Sequence, residues 1–178
     1  MAKEVLLNAK MRRTGICGAT ESLLIDFDAV DKFLPELIET LITAGCEIRG
    51  DEIVQKFDSR ITPASEEDWT TEYLDATLSI KTVKDVSEAI EHINRYGSHH
   101  TDAIIAEDIE AATVFLNRCN RASQRFDAVC RRRRIRNGRR NRHFNRTASR
   151  PRTGRNRTID NLQISSARKR SNPPRLVR

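Results

Sequence analysis

The sequence predicts an α/β fold in which strands alternate with helices and at least some strands run parallel. Short apolar runs with strand character recur along residues 1–117, and segments with the helix period lie between them. Glycines or an aspartate stand at several of the junctions. Strands that alternate with helices of ten or more residues are typical of sheets built from β-α-β units.

The predicted elements follow one another closely along the chain. They are a strand at 21–26, a helix with apolar positions from Phe33 to Ile42, a strand at 46–50, a short helix at 51–57, a strand at 76–83, a helix at 83–97, a strand starting at 101 and a helix at 109–117. Gly45 and Gly97 end the two longer helices, and Asp51 stands near the start of the short one. Most apolar residues of these segments, Cys46 included, are expected to pack in the core.

Charge divides the chain into two unequal parts. Residues 1–117 hold 11 Lys/Arg and 23 Asp/Glu, whereas residues 118–178 hold 21 Lys/Arg and 2 Asp/Glu. A single folding unit is rarely divided in this way. We therefore expect a folded α/β domain over 1–117 and a disordered, arginine-rich tail over 118–178.

No apolar run approaches the length of about 18 residues that a membrane helix needs, and the N-terminal residues do not follow a signal-peptide layout. The sequence predicts a cytoplasmic, soluble protein without a membrane partner. The four cysteines show neither Cys-x-x-Cys nor Cys/His spacing, so the sequence predicts no metal site and no disulfide framework.

Cys17 differs from the other cysteines in its surroundings. It lies in the stretch RRTGICGATE, between two glycines and close to two arginines, with no apolar periodicity. Nearby cations lower the pKa of a thiol, and small neighbours leave room for a substrate, as a nucleophilic cysteine requires. From the residues alone, a catalytic thiol and an ordinary surface cysteine both remain open.

The longer segment around Cys17 and several segments after it resemble one enzyme family. The segment NAKMRRTGICGATESLLID resembles the cysteine-bearing segment of the glutamate-5-semialdehyde dehydrogenases, also called gamma-glutamyl phosphate reductases, a branch of the aldehyde dehydrogenase superfamily in proline biosynthesis. The segments AGCEIRGDE, EEDWTTEYLDATLSIKTV, AIEHINRYGSHHTDAIIAED and FLN resemble that family in the same order and spacing. The resemblance covers nearly all of residues 1–117 and implies an aldehyde-dehydrogenase-like catalytic domain.

The resemblance implies NADPH-dependent reduction of L-glutamate 5-phosphate to L-glutamate 5-semialdehyde and phosphate. Cys17 matches the nucleophile, which displaces phosphate to give a thioester. Glu72 is similar to the superfamily glutamate that contacts the nicotinamide ribose, although Tyr73, Leu74 and Asp75 depart from the wider pattern.

Three further residues fall within the resembling segments, each with an alternative left open. Arg13 could hold phosphate or a substrate carboxylate, or be a solvated surface charge. His100 and Asp102 could serve the substrate site or a hinge, or form a structural hydrogen-bonded pair. The family's main NADPH-binding half precedes the cysteine segment, and this sequence contains no glycine-rich phosphate loop. The resemblance therefore implies a truncated fragment with little or no reductase activity, which also lacks the family's oligomerisation segment.

The tail contains 20 Arg and one Lys. Taken at face value, it is an arm that contacts nucleic acid non-specifically through phosphates, which makes an acidic α/β domain with a nucleic-acid-binding arm the alternative function. A shifted reading frame accounts better for the arginine excess. When the first nucleotide of the codons for residues 124–130 is dropped, they permit Asn-Ala-Ser-Thr-Gln-Phe-Ala, a segment that the resembling family carries shortly after FLN. We therefore hypothesise an insertion or deletion near codons 117–120.

Overall fold

The structure is a computed structural model that describes residues 1–98 and 100–119, together with the backbone of three strand segments at 125–130, 133–136 and 161–165. Its four helices are α1 (Ala2–Met11), α2 (Phe27–Thr43), α3 (Val86–Tyr96) and α4 (Ile109–Arg118). Its strands are β1 (Ser22–Asp26), β2 (Glu47–Gly50), β3 (Thr62–Pro63), β4 (Thr77–Val83), β5 (Thr101–Ala106), β6 (Arg125–Cys130), β7 (Arg133–Arg136) and β8 (Asn161–Ser165). Two short 3-10 helices cover Val54–Phe57 and Glu67–Trp69.

The strands form one sheet in the order β3-β2-β4-β1-β8-β5-β6-β7. All neighbouring pairs are parallel except β6 and β7, which are antiparallel. This arrangement confirms the predicted α/β fold with parallel strands. Helix α1 was not among the predicted elements. The region 51–57, predicted as a short helix, contains the 3-10 helix Val54–Phe57. Asp51 accepts hydrogen bonds from the backbone N–H groups of Ile53 and Val54 at its start.

Helices cover both faces of the sheet, and the core has two layers as a result. On β1, Leu23 and Ile25 belong to the layer that α1 and α2 cover, whereas Leu24 between them belongs to the layer under α3 and α4. Successive strand side chains point to opposite faces, so every position of β1 is buried. The predicted apolar faces are confirmed, with Leu34, Leu37, Ile38 and Leu41 of α2 and Ala89, Ile90 and Ile93 of α3 in the core.

The helix ends have clear causes. An aspartate caps the N-terminus of three helices by accepting hydrogen bonds from backbone N–H groups of the first turn. These residues are Asp26 for α2, Asp85 for α3 and Asp108 for α4. Because Asp26 is the cap, α2 begins six residues before the first predicted apolar position. Gly45 follows α2 with φ of +84°, a left-handed conformation that favours glycine, as predicted for the residue that ends this helix.

Three strands belong to the range 118–178, for which the sequence predicts disorder. β8 lies between β1 and β5, and β6 pairs with β5, so the structure differs from that prediction at these segments. Apolar residues alternate with polar ones in 161–165 and in the first four residues of 125–130, which is a strand pattern. The other residues beyond 119 lie outside the described part of the chain. For them, disorder and nucleic-acid contact stay predictions.

None of the four helices in the described part of the chain combines the length and the apolar character that a membrane-crossing segment requires.

Candidate active site

Cys17 lies in the loop that joins α1 to β1. Two backbone hydrogen bonds shape this loop, one from the N–H of Ala19 to the carbonyl of Ile16 and one from the N–H of Thr20 to the carbonyl of Ala9. Gly18, Ala19 and Thr20 are buried, whereas Cys17 is exposed. The loop thus anchors its C-terminal half in the protein and leaves the sulfur accessible.

Cys17 lines an open pocket that encloses about 370 Å³, part of which is open to solvent. The walls come from the loops that precede β1, β4 and β5, so the pocket lies at the amino ends of these parallel strands. In most open α/β sheets ligands bind at the carboxyl ends. The other lining residues are Glu21, Ser22, Trp69, Thr70, Thr71, Glu72, Leu74, Tyr96, Gly97 and Ser98.

His100 approaches Cys17 from the loop before β5. Its Nε2 lies 3.8 Å from the Cys17 Sγ, within hydrogen-bonding range for sulfur. Its Nδ1 lies 3.0 Å from the hydroxyl of Thr101, and its backbone N–H donates to the hydroxyl of Ser98 at 3.4 Å. The imidazole therefore contacts the sulfur with one ring nitrogen and a hydroxyl with the other.

Glu21 and Lys10 form a buried ion pair beside the pocket. Lys10 Nζ lies 2.8 Å from Glu21 Oε2, and the Lys10 side chain is fully buried. Burial raises the pKa of Glu21, while Lys10 and the backbone amides of Leu74 and Tyr73 act in the opposite direction. Oε1 of Glu21 has no hydrogen bond that meets ordinary geometric criteria within the described residues. The pair connects α1 to the start of β1, and so fixes both ends of the Cys17 loop.

Asp68 organises the loop that carries Glu72. It accepts hydrogen bonds from the Tyr73 hydroxyl at 2.8 Å, from Arg49 at 2.9 Å and from the backbone N–H and hydroxyl of Ser65. Burial alone would raise the pKa of Asp68, but these hydrogen bonds outweigh it and lower the pKa to about 2. Leu74, two residues after Glu72, has φ of +52°, which turns the chain towards β4.

His92 lies behind the pocket wall. Its ring packs edge-on against Trp69, at 5.6 Å between centroids, and lies tilted against the Tyr96 ring at 4.6 Å. Burial is the main cause that lowers the pKa of His92 to about 4, with Lys81 adding to it. The ring is therefore neutral at physiological pH, and it supports two aromatic side chains of the pocket.

The structure brings three of the five predicted site residues together. Glu72 lines the same pocket as Cys17, and His100 contacts the Cys17 sulfur. Arg13 is exposed and is not among the lining residues, while Asp102 is fully buried within β5. Of the two readings left open for Asp102, its place in the sheet favours a structural role.

Sequence reasoning missed several residues that shape the site. It assigned no role to Lys10, Glu21, Trp69 or Tyr96, although all four fall within the family-like motifs. Cys46 is buried, which confirms its predicted place in the core, and this burial raises the pKa of its thiol to about 11. The Cys17 thiol, by contrast, is open to solvent.

Comparisons with known proteins relate this chain to one enzyme. No protein-family model matches it. The gamma-glutamyl phosphate reductases of Rhodopseudomonas palustris (strain BisB5) and Paramagnetospirillum magneticum (strain ATCC 700264 / AMB-1) are each 57% identical to it over 122 residues. The alignments cover 68% of this chain, but 28% and 29% of the respective relatives.

The same enzyme is found among solved structures. The crystal structure of gamma-glutamyl phosphate reductase from Thermotoga maritima has a TM-score of 0.64 and 42% identity, and the match covers 66% of this chain and 28% of that one. The chain thus spans little more than a quarter of the length of the relatives it matches. Through the matched two thirds of its residues, it belongs to the gamma-glutamyl phosphate reductase family and corresponds to one segment of the longer relatives.

Proposed function

We propose that this chain carries the thiol chemistry of gamma-glutamyl phosphate reduction in proline biosynthesis, with Cys17 as the nucleophile. The observation that supports it best is the exposed Cys17 sulfur at the mouth of an open pocket, in a chain 57% identical to named gamma-glutamyl phosphate reductases over 122 residues. An acyl phosphate is an activated carbonyl with a good leaving group. A thiolate can therefore displace the phosphate with little further assistance.

In the proposed step at Cys17, one bond forms at the sulfur and one bond to phosphate breaks. The thiol loses its proton, the sulfur forms a bond to the γ-carbonyl carbon, and the bond from that carbon to the phosphate oxygen breaks. Inorganic phosphate leaves and a thioester remains on Cys17. We assign the backbone N–H of Cys17, the residue that carries the attacking sulfur, to the developing oxyanion.

Charge at the site suggests how a glutamyl substrate would be oriented. Glu21 and Glu72 line the pocket, and Lys10 balances the charge of Glu21 alone. The remaining negative charge of Glu72 complements the ammonium group of the glutamyl moiety rather than its carboxylate. Arg13 lies four residues before Cys17, outside the lining, on the solvent side. We assign Arg13 to the departing phosphate, which would stay at the pocket mouth.

NADPH is the reductant that the family resemblance implies, and when bound it would supply the hydride that reduces the thioester. Glu72 is the candidate contact for its ribose and lies in the same pocket as Cys17. The described residues contain no glycine-rich loop of the kind that holds a dinucleotide pyrophosphate. This described part of the chain therefore does not make a full NADPH site, and the chemistry proposed for the chain ends at the acylated cysteine.

Acylation of Cys17 can be measured directly. The chain is incubated with acetyl phosphate at neutral pH, digested and examined by mass spectrometry. We expect one acetyl group on the Cys17 peptide and release of phosphate, both lost in Cys17→Ala and both kept in Cys46→Ala, the matched control with a buried thiol. Acetylation that is equal on Cys17 and on a short peptide of the same sequence would count against a poised nucleophile.

A further inference from the structure

We propose that His100 is the proton acceptor for the Cys17 thiol, so that the site holds a thiolate and imidazolium pair when no substrate is bound. This inference deepens the proposed function, because it names the group that takes the proton before the sulfur attacks. It rests first on geometry. The Cys17 Sγ and the His100 Nε2 lie 3.8 Å apart although 83 residues separate them in the chain.

Thr101 orients the ring for this task. Its hydroxyl lies 3.0 Å from Nδ1, on the side of the ring opposite the sulfur. When Nδ1 carries the hydrogen and donates to Thr101, the Nε2 lone pair is available to accept the thiol proton. The same hydrogen bond persists after the transfer, since both ring nitrogens of an imidazolium are donors. A nucleophile, a base and a third group that orients the base form the usual arrangement of an activated cysteine.

Carboxylates from two neighbouring segments line the pocket beside the pair. Glu21 lines it from the β1 side, Glu72 from the loop before β4, and Tyr96 from α3. Lys10 already forms an ion pair with Glu21. An imidazolium beside a thiol favours the thiolate. Transfer of the proton within the pair keeps its net charge at zero.

The backbone holds His100 in place independently of Cys17. The loop before β5 begins at Gly97, whose N–H donates to the carbonyl of Ile93 at the end of α3. Ser98 then accepts the His100 N–H, and Thr101 is the first residue of the buried strand β5. Ser98 and Thr101 thus hold His100 through contacts that do not involve the sulfur.

The test is the rate at which iodoacetamide alkylates Cys17, followed by mass spectrometry of its peptide as a function of pH. The wild-type chain should react quickly near pH 6. The rate for His100→Gln should be lower by roughly tenfold or more there, because a neighbouring cation lowers the pKa of an acid by about 1–3 units. The two rates should converge near pH 10, where the thiol ionises without help. Thr101→Val should show a smaller loss with the same shape.

A purely structural role for His100 predicts a different result, namely equal acceleration or slowing at every pH as the loop opens or closes over Cys17. Such parallel profiles, or identical ones, would overturn the proposal. In case His100→Gln fails to fold, the thiolate absorbance of the wild-type chain, taken as the difference from Cys17→Ala, gives a second measurement. A thiolate that forms below about pH 7 supports the pair, and titration near about 8.5, the value of an ordinary thiol, overturns it.

The outcome is separable from that of the proposed function. Alkylation requires neither substrate nor reductant, so a chain with the pH profile of an ion pair that acetyl phosphate does not acylate retains the pair and loses the acyl-transfer role. A chain that is acylated at Cys17 with the same rate in wild type and His100→Gln at every pH retains the acyl-transfer role and loses the pair.

Discussion

Lys10 and Glu21 form a buried ion pair, with 2.8 Å between Nζ and Oε2, at the base of the loop that presents Cys17. Lys10 is the last but one residue of α1, and Glu21 immediately precedes β1. Burying two charges costs free energy that their mutual attraction only partly offsets, so such a pair is weak evidence of stabilisation. Its position suggests instead that the pair fixes the geometry between helix and strand.

The first prediction concerns this pair. Lys10→Met should lower the free energy of unfolding by about 3–5 kcal/mol, because it leaves the Glu21 carboxylate buried without its cation. The double variant Lys10→Met/Glu21→Leu should recover most of the loss. Urea unfolding followed by the fluorescence of Trp69, the single tryptophan, measures both.

Lys3→Met is the matched control for that comparison. Lys3 pairs with Glu36 on the surface at 2.6 Å, and exposed pairs contribute about 0–1 kcal/mol. If Lys10→Met were no more destabilising than Lys3→Met, the buried pair would have no structural role. If the double variant stayed as unstable as Lys10→Met, the loss would arise from packing rather than from an unpaired charge.

The sequence could have indicated Lys10, but composition rules point the other way. Lysine is almost never fully buried, so a lysine in a helix is normally assigned to the surface. Lys10 follows Leu6 by four residues, which places both on the buried face of α1. Its partner Glu21 stands next to an apolar strand. The pair is visible only once the strand and the helix are known to be neighbours.

The position of the pocket was likewise only partly predictable. The motifs that carry Cys17, Glu72 and His100 each precede a predicted strand, so the sequence places them at the amino ends of β1, β4 and β5. The strand order decides which of these loops meet, and local patterns do not contain it. β1 and β4 are neighbours, whereas β8, from a region predicted to be disordered, separates β1 from β5.

The second prediction follows from His92. Its pKa in the folded protein is about 4, below the ordinary value of 6.5, so the unfolded chain binds the proton more tightly. The stabilising effect of the neutral ring is complete above pH 6.5 and is lost as the pH falls towards 4. In His92→Phe the free energy of unfolding should fall less on acidification, by on the order of 2–3 kcal/mol near pH 4.

The measurement for His92 is the urea midpoint at several pH values between 7 and 4. Phe27→Ala serves as the control variant, because the Phe27 side chain is exposed and does not titrate. We expect its stability profile to keep the wild-type slope over this range. A slope unchanged by His92→Phe would show that other groups cause the acid loss.

The third prediction concerns Asp68. Its pKa is lowered like that of His92, but for an aspartate a lowered pKa favours the charged form. Its pKa of about 2 lies below the ordinary value of 3.8, so the ionised form is favoured in the folded protein. The stabilisation, roughly 2 kcal/mol, is present above pH 4 and is lost as the pH falls towards 2. Asp68→Asn should remove it at neutral pH and should loosen the loop that carries Glu72.

The readout for Asp68→Asn is again the urea midpoint at neutral pH. Tyr73→Phe is a useful companion, since it removes one of the hydrogen bonds to Asp68 and keeps the ring. It should cost about 0.5–1.5 kcal/mol, or somewhat more because the acceptor is charged. A neutral effect of both substitutions would contradict the role assigned to Asp68.

The fourth prediction compares two glycines. At Gly50 a Cβ atom would lie 2.6 Å from Val54 Cγ1 and 2.8 Å from Val54 Cβ, so Gly50→Ala should destabilise the protein by about 1–3 kcal/mol through overpacking. At Gly45 nothing lies within 4 Å of such an atom. Gly45→Ala should still lower the free energy of unfolding by about 1–2 kcal/mol, because φ of +84° is strained for alanine. Val54→Ala should therefore partly rescue Gly50→Ala and leave Gly45→Ala unimproved, as thermal unfolding can test.

The last prediction concerns the nucleotides behind the tail. The match to the relatives covers 122 residues, close to the 117 over which the family-like motifs extend, and the remaining third of the chain carries the arginine excess. A single nucleotide gained or lost near codons 117–120 accounts for both observations. Resequencing of the locus should reveal that change, and restoring the frame should give a C-terminal part that aligns with the same relatives. An intact frame, together with a peptide from residues 137–160 detected in the native protein, would reject the hypothesis and leave the arginine-rich tail as a genuine part of the molecule.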